Sequence, residues 1–326
     1  MNNPPVLYIV IPCYNEEEAL PITSKRVAAL TDDMIAKRII APESRILMVD
    51  DGSKDRTWEV IAGLCRSDAR FEGVKLAHNV GHMNALWAGM TMAEPKCDCM
   101  ISIDADLQDD INAMYGFLEA YQNGADVVTG VRSSRATDTF FKRTTAQGFY
   151  RLMNRLGVEM VYNAADYRLL SSRALKALLS FGEVNMFLRG MVPMLGFKTA
   201  TVEYARGERV AGESKYPLKK MVGFAIEGIT SLSNKPIRYV TLAGVLCALL
   251  GVAMGVYVLI SLFKGTFVAG WASTMMSIWL LGGMQLVALG LIGEYIGKIY
   301  METKHRPRYI ISETTPNFTP REEEDA

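Results

Sequence analysis

The sequence predicts an α/β domain on a doubly wound, mostly parallel sheet, followed by an amphipathic interface helix and two transmembrane helices. Three observations lead there. Short apolar runs alternate with longer amphipathic segments through residues 1–205. Four of those runs end abruptly in polar or charged clusters. Two nearly uncharged apolar stretches then follow, each longer than the roughly 20 residues needed to cross a ~30 Å hydrocarbon core.

Taken in order, residues 6–12 form a strand that closes on Pro12-Cys13-Tyr14-Asn15-Glu16, and a helix runs over 19–30. Residues 44–49 form a second strand ending in Asp50-Asp51-Gly52-Ser53, with a helix over 55–64 capped by Asp55 or Ser53. A third strand at 74–76 leads through Asn79-Val80-Gly81-His82 into a helix over 83–93. The fourth, 99–103, delivers Asp104-Ala105-Asp106-Leu107-Gln108-Asp109, and the fifth, 126–131, ends in Arg132. A parallel sheet gathers such strand ends at one edge, where open α/β folds bind ligands. No Gly-x-Gly-x-x-Gly follows the first strand and no Walker motif occurs, so dinucleotide-dehydrogenase and P-loop readings lose their main support.

Asp104, Asp106 and Gln108 form an all-oxygen set at alternate positions. Mg²⁺ and Mn²⁺ favour such donors and leave positions open for substrate phosphate. The same residues could equally be a solvated loop end or a helix cap, and the spacing alone leaves both open. Cys97 and Cys99 form a C-x-C without a nearby His, so a zinc site has little support and the five cysteines read as free thiols in a reducing compartment.

Lys+Arg and Asp+Glu are each 35, and this zero balance argues against a general nucleic-acid binder. Met1-Asn2-Asn3-Pro4-Pro5 has no basic, apolar leader pattern, so export of the N-terminal domain is not expected. The chain divides into a domain at 1–205, an interface segment at 206–235, a two-helix hairpin at 236–299 and a C-terminal tail at 300–326. The interface segment carries Leu218, Met221, Val222, Phe224 and Ile226 among lysines, as an amphipathic surface helix does, although ordinary core packing remains an alternative. Arg206, Arg209, Lys215, Lys219, Lys220, Lys235 and Arg238 precede the first span, and Lys298, Lys304, Arg306 and Arg308 follow the second. The positive-inside rule therefore puts both termini in the cytoplasm.

These residues together resemble a family. Pro12-x-Tyr14-Asn15-Glu16, Asp50-Asp51-Gly52-Ser53, Asn79-x-Gly81 and Asp104-Ala105-Asp106-Leu107-Gln108-Asp109 are similar to the motifs of the inverting family 2 glycosyltransferases of GT-A (Rossmann-like) fold. Ala165-Asp166-Tyr167-Arg168, Arg206-x-x-Arg209-x-x-Gly212-Glu213-Ser214-Lys215 and Gly293-Glu294-Tyr295 narrow this to the polyisoprenyl-phosphate glycosyltransferases. That group includes bactoprenol glucosyltransferases and dolichol-phosphate mannose synthases; the two spans and Lys304-x-Arg306-Pro307 are most like the bactoprenol branch. Asp110-Ile111 stands where that branch usually has Pro, a departure that bears on the sugar.

The resemblance implies glucose transfer from UDP-glucose to undecaprenyl phosphate at the inner (plasma) membrane, giving a lipid-linked sugar for cell-envelope glycans. It implies Mg²⁺ or Mn²⁺ on Asp104, Asp106 and Gln108, with Asp106 taking part in catalysis. It assigns the nucleotide sugar to Pro12, Tyr14, Glu16, Asp50, Asp51, Asp104 and Asp106. Asp51 has the alternative of a turn carboxylate. Asp166 follows a strand or loop and is implied to orient the acceptor or sugar or act as base, its alternative being an ion pair with Arg168. Arg132, Arg143, Arg209 and Lys215 are implied for the acceptor phosphate, with surface charge the alternative for Arg143 and Arg209. GlcNAc, galactose and GDP-mannose remain open as sugars. The branch further implies a homotetramer and a small flippase partner. A processive polysaccharide synthase would need a Gln-x-x-Arg-Trp motif, which Gln147-Gly148-Phe149-Tyr150-Arg151 does not supply. A non-catalytic membrane-anchored nucleotide-sugar-binding protein would be expected to lack an acidic ligand, and none is missing.

Overall fold

The structure, a computed structural model, describes residues 3–133, 156, 164–205, 229–231, 233–263 and 270–318. They fall into two compact units. One draws on Met1–Arg151, Glu159–Pro217 and Pro307–Ala326, the other on Leu152–Val158 and Leu218–Arg306.

The first unit is a mixed sheet of eight strands. These are β1 (Leu7–Cys13), β2 (Arg45–Asp50), β3 (Phe71–Leu76), β4 (Cys99–Ser102), β5 (Val127–Arg132), β6 (Ala164–Ser171), β7 (Thr199–Tyr204) and β8 (Ile311–Thr314), in the order β7-β5-β6-β4-β1-β2-β3-β8. Strands β1 to β4 are parallel neighbours, whereas β6 runs antiparallel between β4 and β5. The carboxyl ends of β1, β2, β4 and β5 therefore share one edge, and β6 begins there. The expectation of a mostly parallel sheet holds for six of the eight strands; β6 and β8 run against them and make the whole mixed. Helices α1 (Leu20–Ala36), α2 (Thr57–Ser67), α3 (His82–Ala93), α4 (Ala113–Gln122), α5 (Ser172–Leu179) and α6 (Leu188–Met194) complete the unit.

The strands are apolar nearly throughout because helices cover both faces of the sheet, the usual state of parallel strands. Ile9, Ile11, Ile46, Met48 and Ile101 are each at most 1% exposed. Such side chains contribute roughly 1.5–3 kcal/mol each on burial. Gly89 lets α3 lie directly on the sheet, since a Cβ there would meet Val10 Cγ1 at 2.4 Å.

The segment expected as a tail returns to the sheet: β8 pairs antiparallel with β3, placing Val74 beside Thr314. Arg308 donates to the carbonyls of Phe181 and Glu183 at 2.8 and 2.7 Å and stacks on Trp87.

The second unit contains α7 (Lys235–Phe263) and α8 (Trp271–Thr303). Tyr295 donates to the Ser233 carbonyl at 2.5 Å and Lys298 to Ser231 Oγ at 2.7 Å. Among the described residues, one stretch, Leu280–Thr303, is long and apolar enough to cross a membrane. Large apolar side chains stand exposed on both helices, Leu250 and Leu286 among them. Of the interface segment expected at 206–235, residues 206–228 and 232 lie outside the described residues, as do those from 319 onward.

Candidate functional site

The site is built on the carboxyl edge of the sheet. The turns after β1 and β2 are stitched together. Asn15 N–H donates to Ser53 Oγ at 3.0 Å, Lys54 N–H to Asn15 Oδ1 at 2.9 Å, and Glu16 N–H to Thr57 Oγ1 at 2.8 Å. Pro12 is buried within β1, while Tyr14 stands exposed on this double turn with Glu16 half-buried beside it.

Asp50 ends β2 and is fully buried. Its Oδ1 accepts from Ser53 N–H at 3.0 Å, but its buried Oδ2 has no hydrogen-bond partner. A buried acceptor left without a donor costs about 1–3 kcal/mol, so this oxygen suits an incoming N–H or O–H. Asp51 is engaged differently. Its carboxylate accepts from Asn79 Nδ2 and from the backbone N–H groups of Val80 and Gly81 at 2.8–3.0 Å. It thereby fixes the loop ahead of α3. Burial pushes its carboxyl up, against the pull of those two N–H groups. Gly52, which follows Asp51, has φ +63°, and a Cβ there would lie 2.5 Å from the His78 carbonyl carbon.

Beyond β4 the chain turns through Leu107, whose φ of +50° is uncommon for a side-chain-bearing residue. The turn brings Gln108 N–H onto Asp106 Oδ1 at 3.1 Å. Asp104 faces His82 Nε2 at 3.6 Å, with 45% of its side chain exposed. Partial desolvation raises its carboxyl above the ordinary range; His82 opposes this, and Asp166, Asp109 and Asp106 add to it. Among the described residues no three His, Cys, Asp or Glu side chains converge as a ready-made cage. Two carboxylates and one amide oxygen nevertheless fit Mg²⁺ or Mn²⁺, which commonly take one or two carboxylates and complete the shell with water and substrate phosphate.

Asp166, on β6, is tied to β4 by Ser102 Oγ, which donates to its carbonyl at 2.7 Å. Its side chain accepts from Arg168 at 2.8 Å and from both Nε and Nη2 of Arg189 at 3.1 and 2.8 Å. Burial alone would raise this carboxyl, but Arg189 first and Arg168 second hold it down to about 2. The ion pair with Arg168 is thus present, and a second arginine joins it.

Arg132 closes β5 and meets Asp109 Oδ1 at 3.3 Å, while Tyr204 donates to the same oxygen at 2.6 Å. The Arg132 Nε is buried without a partner. Arg143, Arg209 and Lys215 lie outside the described residues.

The edge therefore brings together Pro12, Tyr14, Glu16, Asp50, Asp51, Asp104, Asp106, Gln108, Asp166 and Arg132. Sequence reasoning missed Arg189, Asp109 and Tyr204 as members of this group. Asp109 stood inside the acidic motif without an assigned role. Arg189 lies in a seven-residue helix, too short for a periodic pattern.

Glycosyl transferase family 2 matches residues 8–179, and the GtrB C-terminal hairpin matches residues 235–299. YkoT of Bacillus subtilis (strain 168), an uncharacterized glycosyltransferase, is 54% identical over 307 residues, covering 94% of this chain and 91% of its own. The bactoprenol glucosyl transferase of Shigella phage SfV is 40% identical over 306 residues, covering 93% of this chain and 97% of its own. A prophage bactoprenol glucosyl transferase homolog of Escherichia coli (strain K12) is 39% identical over 305 residues, with coverage of 93% and 97%.

Proposed function

We propose, from the premise that this chain belongs to glycosyltransferase family 2 and is a glycosyltransferase of GT-A fold, that it transfers glucose from UDP-glucose to undecaprenyl phosphate with inversion. The observation that carries this reading is one chain joining the acidic sheet edge to a helical hairpin, matched along nearly its whole length by bactoprenol glucosyl transferases.

The donor's nucleoside lies against Pro12, Tyr14 and Glu16, with Asp50 Oδ2 accepting from it and Asp51 holding the loop beside it. Asp104, Asp106 and Gln108 would hold Mg²⁺ or Mn²⁺, which when bound neutralises charge on the diphosphate leaving group. The attacking phosphate oxygen is already anionic near neutral pH, since the second phosphate pKa is about 6. The reaction therefore needs no strong base. Asp166, held near 2 by its arginines, suits orientation of the acceptor or sugar better than proton abstraction. Arg132, Arg143, Arg209 and Lys215 serve the acceptor phosphate, arginine being suited to bidentate contact.

The hairpin helices α7 and α8 both span the plasma membrane, with the catalytic unit and both termini cytoplasmic. Their exposed apolar side chains and the flanking lysines and arginines support this. A homotetramer and a small flippase partner complete the proposal, and the lipid-linked glucose feeds cell-envelope glycans.

The test is a donor panel. Purified protein receives radiolabelled UDP-glucose, UDP-GlcNAc, UDP-galactose or GDP-mannose with undecaprenyl phosphate and Mg²⁺ or Mn²⁺, and the lipid is extracted. Label in the lipid from UDP-glucose is expected. Label from another donor alone overturns the sugar, and no lipid label from any donor overturns the reaction.

A further inference from the structure

Strand β7 lies at the edge of the sheet, and its side chains from Thr199 to Glu203 are exposed or half-buried. Tyr204 ends the strand and is 4% exposed. The parallel register sets it beside Arg132 of β5. Its ring occupies the space left by Gly130, where a Cβ would lie 2.8 Å from Tyr204 Cε1, and meets Tyr167 edge-on with centroids 5.4 Å apart. Packing therefore fixes the ring and aims its hydroxyl at the polar edge, where it donates to Asp109 Oδ1 at 2.6 Å.

Arg132 Nη2 donates to the same oxygen at 3.3 Å. The two contacts differ in strength. Bonds of the O–H···O⁻ type run at about 2.5–2.7 Å and those of the N⁺–H···O⁻ type at about 2.7–2.9 Å, so the phenol makes a full bond and the arginine a stretched one. The Asp109 side chain is 3% exposed, whereas 30% of the Arg132 side chain is exposed. Without the phenol, a buried carboxylate would be short of a donor, and Arg132 already touches it. The guanidinium would close on Asp109 and have less to offer a second anion.

We propose that Tyr204 is a positioning residue for the acceptor: its hydroxyl takes the short-bond position on Asp109 and so keeps Arg132 available to the lipid phosphate. The proposal rests on the glycosyl-transfer reading, in which Arg132 serves that phosphate.

Dissociation constants are measured for undecaprenyl phosphate in detergent micelles and for UDP with Mn²⁺, using full-length wild type, Tyr204→Phe, Arg132→Gln and the double variant. Phenylalanine keeps the ring and removes only the hydroxyl, and a thermal melt checks that the variant folds. Tyr204→Phe should weaken lipid-phosphate binding by about fivefold or more, the scale of one hydrogen bond to a charged group, and leave UDP within about twofold. In the Arg132→Gln background the same change should cost less than about twofold, because the residue it acts through is gone. An equal loss in both backgrounds would make Tyr204 a packing residue and overturn the proposal. So would wild-type lipid binding in Tyr204→Phe, or a Tyr204→Phe protein that does not fold. Unchanged lipid binding in Arg132→Gln overturns the assignment of Arg132 to the acceptor, and the positioning role with it. Failure of wild type to transfer sugar sinks the reaction separately, since these constants need no turnover.

Discussion

Arg189 holds Asp166 through both carboxylate oxygens, with Nε 3.1 Å from Oδ1 and Nη2 2.8 Å from Oδ2. Arg168 adds a third charge-assisted bond at 2.8 Å. The folded Asp166 is held at about 2, below the roughly 3.9 of an unfolded chain. A depressed carboxyl stabilises the fold above its unfolded pKa and loses that contribution as pH falls through the folded one. The stabilisation, roughly 2–3 kcal/mol, is therefore complete above about pH 5 and drains toward pH 2. Asp166→Asn should lower the melting temperature at pH 7, because it strands two arginines, one fully buried, at a cost of about 3–5 kcal/mol. Its melting temperature should also fall less than wild type's between pH 5 and the acid limit of folding. Parallel acid profiles for the two proteins would remove the ion pair from the account.

Asp104 and Asp106 should behave oppositely. Among the described residues Asp104 meets His82, and its carboxyl is raised by burial first and then by Asp166, Asp109 and Asp106. Asp104→Asn and Asp106→Asn should leave the melting temperature of metal-free protein unchanged or higher. Transfer to lipid phosphate should fall by more than about 100-fold, beyond what loss of an outer-shell partner costs. Chelation of wild type should reproduce the loss, and Mg²⁺ or Mn²⁺ should restore it. Residual transfer above a tenth of wild type in either variant would remove these carboxylates from metal binding.

Gly52 links the two halves of the donor side. Its φ of +63° and the 2.5 Å approach of a would-be Cβ to the His78 backbone leave no room for alanine. Gly52→Ala should displace the 78–81 loop from Asp51, cost about 1–3 kcal/mol of stability and weaken UDP binding. Thermal melts and UDP titration check it; a variant that binds UDP as wild type does would show the loop is not part of the donor pocket.

Much of this edge was legible in the sequence because parallel strands leave a strong local trace. Apolar runs such as Ile9–Ile11 and Ile46–Met48 stop at polar clusters, and β1, β2 and β4 were each found within a residue or two. β6 left no such trace as a strand. Its direction is set by pairing with β4 and β5, contacts between residues 33 to 72 positions apart that carry no periodic mark. Sequence separation also hid Arg189, which grips Asp166, 23 positions earlier. Asp51 shows a third case. Its place in the motif pointed to the ligand, while its three donors come from the loop 28–30 residues on.

The C-terminal segment was expected as a tail, yet its side chains complete the first unit. Thr315 Oγ1 accepts from Gly73 N–H at 2.9 Å, and a side chain at Gly73 would strike Ile61 and Thr315. Phe318 is 4% exposed and lies under the Lys96 ammonium, 3.8 Å from the ring centroid. Lys96 in turn faces the buried Glu72 at 3.7 Å. Removing Phe318 therefore opens an apolar void and strips cover from a buried ion pair in one step. Phe318→Ala should destabilise the unit by about 3 kcal/mol, in the range for large aromatic truncations in a core. Phe318→Leu, which refills most of the volume, should recover over half of that. The distance from the acidic edge makes a further demand: the constants for UDP and lipid phosphate should be unchanged in Phe318→Leu. Equal stability of the alanine variant and wild type in thermal melts would return the segment to a passive tail.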